Sequence, residues 1–153
     1  MGIEITSGGQ WPDELGRLLR GLPEWFGIES SVSSYVESAR SLPTFAATCD
    51  DEVVGVCVVR DHTALASEIE VLAVRRDLHR TGIGQRLVGA VEDDLRTRGV
   101  RLLQVKTLGP SAPSAEYERT RSFYAAIGFI PLEERDDIWD AENPCLLMVK
   151  PLG

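Results

Sequence analysis

The chain has 153 residues, 43% of them apolar and 26% charged, the composition of one globular domain rather than of a disordered or fibrous chain. A formal net charge of −8 argues against sequence-independent nucleic-acid binding, which needs a basic surface. No apolar run approaches the roughly 20 residues of a membrane-spanning helix, and the opening "MGIEITSGGQWPDEL" lacks the basic start and apolar block of a secretory signal; a cytoplasmic protein is expected.

Taken in order, "IEIT" (residues 3–6) alternates and predicts a short strand broken by Ser7-Gly8-Gly9. Residues 12–22 predict a helix, with Pro12 at its first position, Asp13 and Glu14 in the first turn and Gly21 near the stop. A loop follows, then a second helix over 31–41 with Val32, Tyr35, Val36 and Ala39 on one face. Residues 44–61 read as a hairpin turning at Asp50-Asp51, and 66–74 as the next strand. The clearest helical pattern is 83–99, where Ile83, Leu87, Val88, Val91 and Leu95 share a face and Gly99 ends the run. Residues 100–108 predict a strand, and the loop "GPSAPSAEY" carries a helix start at Ser114. The helix that follows ends at Gly128, and "FIPLEE" and "NPCLLMVKPL" supply the last strands.

The order β-α-α-β-β-β-α-β-α-β-β predicts an α/β (α+β) domain: a mixed, twisted sheet of about six or seven strands flanked by about four helices. The strand–helix–strand unit at the centre calls for one parallel pairing. One domain spanning residues 1–153 is expected. Cys49, Cys57 and Cys145 are odd in number, match no metal spacing and sit in apolar stretches, so buried reduced thiols are expected. No metal-binding constellation is found in the sequence.

The informative stretch is "VLAVRRDLHRTGIGQRL" (71–87), where an apolar strand gives way to the best helix through Gly82 and Gly84. A helix N-terminus presents about four N–H groups without intrahelical partners and a partial positive charge, so it attracts anions. Glycines allow close backbone approach, and Arg75, Arg76 and Arg80 are placed to raise the local potential. The nucleotide-binding P-loop needs Gly-Lys-Ser/Thr at this point, but Gln85 and Arg86 follow Gly84. The dinucleotide fingerprint needs a third glycine where Leu87 stands.

"HRTGIG" (79–84) resembles the Gln/Arg-x-x-Gly-x-Gly/Ala acyl-CoA motif of the GCN5-related N-acetyltransferases (GNAT), with His79 at the first position. "FYAAIGF" (123–129) and the acidic strand "SEIEVLAV" (67–74) match two further elements of that family, and the resemblance runs from about Thr44 to Lys150. It implies acetyl-CoA as co-substrate, with no metal. The backbone of Leu72, Ala73 and Val74 would pair with the pantetheine arm, the Leu72 N–H would bond the thioester carbonyl, and the amides of Arg80, Thr81, Gly82, Ile83, Gly84 and Gln85 would cradle the pyrophosphate. Tyr124 would protonate the departing thiolate, and Glu68 aligns with a strand glutamate that acts as general base.

Other readings stay open. Glu68 and Glu70 are two apart on a strand and so share a face; either glutamate, or ordered water, could take the amine's proton, or both could be solubilising charges. Many relatives carry a glutamate where this chain has Gln104, and some have an asparagine where it has Tyr117. Tyr124 could be a packed aromatic; Phe123, Ile127 and Phe129 read as core; His62 and His79 read as surface or loop residues. Trp25, Phe26 and Trp139 lie near acidic residues, a combination suited to a cation with an apolar body. The implied function is transfer of an acetyl group to a primary amine, a small molecule before a peptide or protein amine, with a non-catalytic acyl-CoA-binding module as the alternative. No nucleic-acid or membrane partner is expected, and the resemblance makes a homodimer the expected assembly.

Overall fold

The computed structural model describes residues 2–153. Its elements are β1 (Ile3–Gly9), α1 (Pro12–Arg20), α2 (Glu29–Ser38), β2 (Thr44–Cys49), β3 (Glu52–Thr63), β4 (Ala66–Val74), α3 (Ile83–Thr97), β5 (Leu102–Leu108), α4 (Ala115–Ala126), β6 (Ile130–Asp140) and β7 (Asn143–Pro151), with a 3₁₀ turn at Arg76–Leu78. The seven strands form one sheet in the order β1-β2-β3-β4-β5-β7-β6. Every pairing is antiparallel except β4 with β5, which the α3 crossover makes parallel. The mixed sheet and four helices agree with the sequence reading.

Local chemistry sets the joints. Pro12 opens α1, with Asp13 and Glu14 in its first turn. Asp50 and Asp51 both adopt positive φ (52° and 65°), as a two-residue hairpin turn needs, and aspartate tolerates that region better than most residues. Ser114 caps α4 by accepting a hydrogen bond from the Tyr117 N–H at 3.2 Å. Two strands run longer than expected. β1 continues through Ser7-Gly8-Gly9 because a register shift and the left-handed Gly8 (φ 84°) absorb the kink instead of ending the strand. β6 extends to Asp140 through "RDDIWD", an exposed edge whose pairing with β7 shifts after Arg135.

The sheet has a core on each face. α3 and α4 cover one, where Ile83, Leu87, Val88, Val91 and Leu95 pack on Val54, Cys57, Val59, Ile69, Leu103 and Val105. α1 and α2 cover the other, where Leu15, Leu18, Leu19 and Val32 pack on Val56, Val58, Val71 and Ala73. All three cysteines are free and buried, and burial pushes the Cys57 thiol up to about 12. No helix among the described residues is long and apolar enough to cross a membrane.

Leu87 is fully buried and its side chain fills the space a Cβ at Gly55 would need, 3.0 Å away. Leu87→Ala should cost about 2–5 kcal/mol in urea unfolding, whereas the same change at Leu65, 52% exposed on the β3–β4 turn, should cost about 0.5 kcal/mol or less.

Candidate active site

β4 pairs with β3 along its length but with β5 over only four residues, Ala66↔Leu102 to Ile69↔Val105. Beyond them β5 continues against β7 alone, so the two parallel strands part. The Arg75 N–H bonds the Val54 carbonyl at 2.8 Å. By antiparallel alternation the polar backbone groups of Val71 and Ala73 also turn to β3, and those of Leu72 and Val74 turn to the gap. A cleft of about 1050 Å³ opens there.

A bulge marks the point of divergence. Val58 faces Val71 but Val59 faces Ile69, which leaves Glu70 as an extra residue. Ile69 and Val71, two apart, therefore enter opposite cores.

At its far end the cleft meets the β4–α3 junction. Arg80 (φ 64°) and Gly82 (φ 91°) are left-handed, and such an alternation turns successive N–H groups toward one point. The first bond into α3 runs from the Arg86 N–H to the Gly82 carbonyl at 3.0 Å. Among the described residues no intramolecular acceptor is found for the N–H groups of Arg80 to Gln85, and no side chain caps the helix. The two glycines do different work. A Cβ on Gly82 would meet nothing within 4 Å, so its need is the positive φ; one on Gly84 would lie 3.2 Å from the Phe123 ring, so its need is close packing of α3 on α4. His79 donates to the Val74 carbonyl at 2.7 Å, which leaves the Leu72 N–H and C=O and the Val74 N–H facing the gap.

The expected basic cluster is smaller than the sequence suggests. Arg75 is held by Asp77 and Glu52, and Arg76 by Glu24. The Arg76 guanidinium takes the Glu24 carboxyl down to about 2. Arg80 makes none of the ion pairs found among the described residues and lines the cleft.

Tyr124 on α4 is buried between Phe123 and Phe129, with ring centroids at 5.1 and 5.2 Å. It lines the cleft, and its hydroxyl makes no hydrogen bond within the described residues. Burial, reinforced by Cys57, holds its pKa well above the usual phenol value. Glu70 is on the cleft wall, paired with Arg60 at 2.7 Å. Glu68 lies behind the wall, 6% exposed, held by His62 at 2.7 Å, Gln104 at 3.1 Å and Lys106 at 3.5 Å. Both carboxylates act on Tyr35, whose pKa is raised first by burial and then by Glu70 and Glu68. Of the residues singled out in the sequence, Leu72, Val74, Arg80, Gly82, Gly84, Gln85 and Tyr124 line this one cleft; Glu68, Ala73, Thr81 and Ile83 do not. Ile83 is core, and Thr81 donates to the Leu78 carbonyl at 2.5 Å.

The sequence gives little sign of the strap that crosses the cleft. The α1–α2 loop reaches both banks through Trp25. Its indole N–H lies 3.1 Å from the Glu116 carbonyl and from Thr120 Oγ1 on α4, and its ring meets His79 edge-on at 5.6 Å. Arg76 stacks over the same ring at 5.9 Å. The Tyr117 hydroxyl donates to the Trp25 carbonyl at 2.6 Å, and burial pushes that phenol up to about 12. Among the described residues no group of three or more His, Cys, Asp or Glu could hold a metal ion.

A family model described as an acetyltransferase (GNAT) domain matches residues 40–131. An uncharacterized N-acetyltransferase from Chlorobaculum tepidum is 33% identical over 81 residues, 53% of this chain and 51% of its own length, so the chain spans about half the length of the curated relative it matches. A structure described as a candidate GNAT-family acetyltransferase from Desulfovibrio desulfuricans superposes with a TM-score of 0.80 at 20% identity, covering 99% of this chain and 100% of that one. A GNAT family acetyltransferase from Elizabethkingia anophelis with acetyl-CoA bound gives 0.72 at 19%, covering 97% of each. At these identities the two structures establish a common fold.

Gly82→Ala should lower stability by about 1–2 kcal/mol in chemical denaturation, from backbone strain alone because the site is roomy. Gly82→Asn should recover part of the loss, since asparagine tolerates the left-handed region.

Proposed function

The chain belongs to the GNAT acetyltransferase family, and we propose that it moves an acetyl group from acetyl-CoA to a primary amine, residues 1–153 acting as one N-acetyltransferase domain. The observation that carries this reading is a single cleft that joins Arg80, Gly82, Gly84 and Gln85, from a junction whose amides have no internal acceptor among the described residues, to the unpaired edge of β4 at Leu72 and Val74.

The residues fit the donor. The amides of Arg80 to Gln85, with the Arg80 side chain, would hold a diphosphate. Leu72 and Val74 would pair with an extended amide-bearing arm as a neighbouring strand would. The thioester supplies the activated acyl group. The Leu72 N–H is the donor for the oxygen on which negative charge grows as the amine attacks; loss of such a fixed donor typically costs on the order of 10²-fold in rate. The Tyr124 hydroxyl stays protonated at neutral pH and faces the cleft, ready to donate toward the leaving sulfur.

The acceptor must shed a proton before it attacks. Glu70 stands on the wall. Glu68 lies one step behind, reached through Lys106, which lines the cleft and contacts it at 3.5 Å. Phe26, Tyr35 and Trp139 also line the cleft, and they support an amine with an apolar body. Because Arg60 balances Glu70, the wall selects more by aromatic contact than by net charge. A small-molecule amine is the proposed acceptor class.

Thiol release from acetyl-CoA with a panel of amines and short peptides tests the proposal. Tyr124→Phe should lower kcat about 10²-fold while calorimetric affinity for CoA stays within about twofold. Absence of acetyl-CoA binding by the wild-type chain would overturn the reading. Binding without turnover on any amine would leave only an acyl-CoA-binding role.

A further inference from the structure

Thr107 lies on the part of β5 that has left β4, paired only with Leu146 of β7. It is 3% exposed. Its Oγ1 is the one buried side-chain polar atom without a hydrogen-bond partner among the described residues. An orphan hydroxyl in dry surroundings lowers stability, and a valine of nearly the same shape would avoid that cost. A buried polar group left unpaired in a native fold calls for an explanation, such as an unseen ligand. Thr107 also lines the cleft, so its missing partner can come from there.

Its place in the register says what that partner would be. Continuing the β4–β5 pairing past Ile69↔Val105 sets Thr107 across the gap from Val71, beside Leu72. An amide-bearing arm lying along the free edge of β4 would therefore pass between Leu72 and Thr107. We infer that Thr107 is a donor-positioning residue whose hydroxyl hydrogen-bonds to the amide of the coenzyme A arm nearest the sulfur, fixing the arm from the β5 side while Leu72 fixes it from β4. The inference rests on the acetyl-CoA reading above. A hydroxyl can donate to the amide carbonyl or accept from the amide N–H, so it can serve either orientation of that group.

The test uses the full chain as wild type, Thr107→Val and Thr107→Ser, with calorimetry against acetyl-CoA, turnover with an amine acceptor, and thermal unfolding without ligand. Expected is a roughly tenfold weaker Kd for acetyl-CoA in Thr107→Val, the size of one lost hydrogen bond, with Tm unchanged or higher because the orphan is gone. Thr107→Ser should bind within about twofold of wild type. If wild type binds acetyl-CoA and Thr107→Val binds it equally well, the inference is overturned and the acetyl-CoA reading stands. It is also overturned if Thr107→Ser weakens binding as much as valine does, since the methyl would then be what matters, or if Thr107→Val lowers Tm, since the hydroxyl would then have a partner inside the fold. If wild type fails to bind, both readings fall.

Discussion

The site depends on one parallel strand pair that stops short. β4 and β5 share four register positions and then part, although each continues as a strand against its other neighbour. Backbone N–H and C=O groups in a folded chain are almost always satisfied. Here the Leu72 groups and the Val74 N–H are turned by strand alternation toward a gap that no strand fills. A strand edge held open within a sheet is a template for an extended ligand carrying its own amides. The same divergence makes room for the β4–α3 junction, whose N–H groups find no capping side chain among the described residues. In the proposed function, one topological fact would thus supply both the ladder for an arm and the cradle for an anion.

Much of this was legible because it rests on local chemistry. The Asp50-Asp51 turn, the Ser114 cap, the five-residue apolar stripe of α3 and the Gly82-Gly84 pair each declare themselves within a few residues. What the sequence hides is long-range. The bulge at Glu70 arises from pairing with β3, and no feature of "EIEVLAV" marks it; simple alternation would place Ile69 and Val71 in one core. The extension of β6 through "RDDIWD" contradicts local propensity, and β7 pairs with it at its two ends, Arg135↔Cys145 and Asp140↔Asn143. The availability of Leu72 over Ala73 depends on which residues β3 satisfies. Thr107 looks like any strand threonine until its surroundings show that its hydroxyl has no partner.

Electrostatics follows the same division. Counting arginines near the junction suggests a basic patch, but Asp77, Glu52 and Glu24 neutralise Arg75 and Arg76 and give them structural work. Arg76 ties the β4 bank to the α1–α2 loop, and Trp25 carries that loop across to α4. Tyr117 bonds the strap. Attraction for an anion is left to Arg80 and to the backbone amides, whose partial charges are fixed in direction and bring no side-chain entropy cost. In a chain of net charge −8, such local, oriented charge can hold a phosphate without a broad basic surface that would attract nucleic acid.

In the proposed reaction one proton must travel from the amine nitrogen to the departing sulfur as the C–N bond forms and the C–S bond breaks. A phenol lifted above its ordinary value of about 10 is a weaker acid than a thiol of about 8.5, so complete transfer from Tyr124 to sulfur runs uphill. The burial that lifts it keeps the donor protonated at neutral pH while the hydroxyl faces the cleft. Its fitting role is to share its proton with sulfur while charge builds there, and to recover a full O–H bond once a proton released by nitrogen reaches the thiolate. The buried aromatic setting of Phe123 and Phe129 then favours a strong, directional hydrogen bond over a strong acid, and this division leaves proton removal from nitrogen to Glu70 on the wall of the same cleft and to Glu68 behind it.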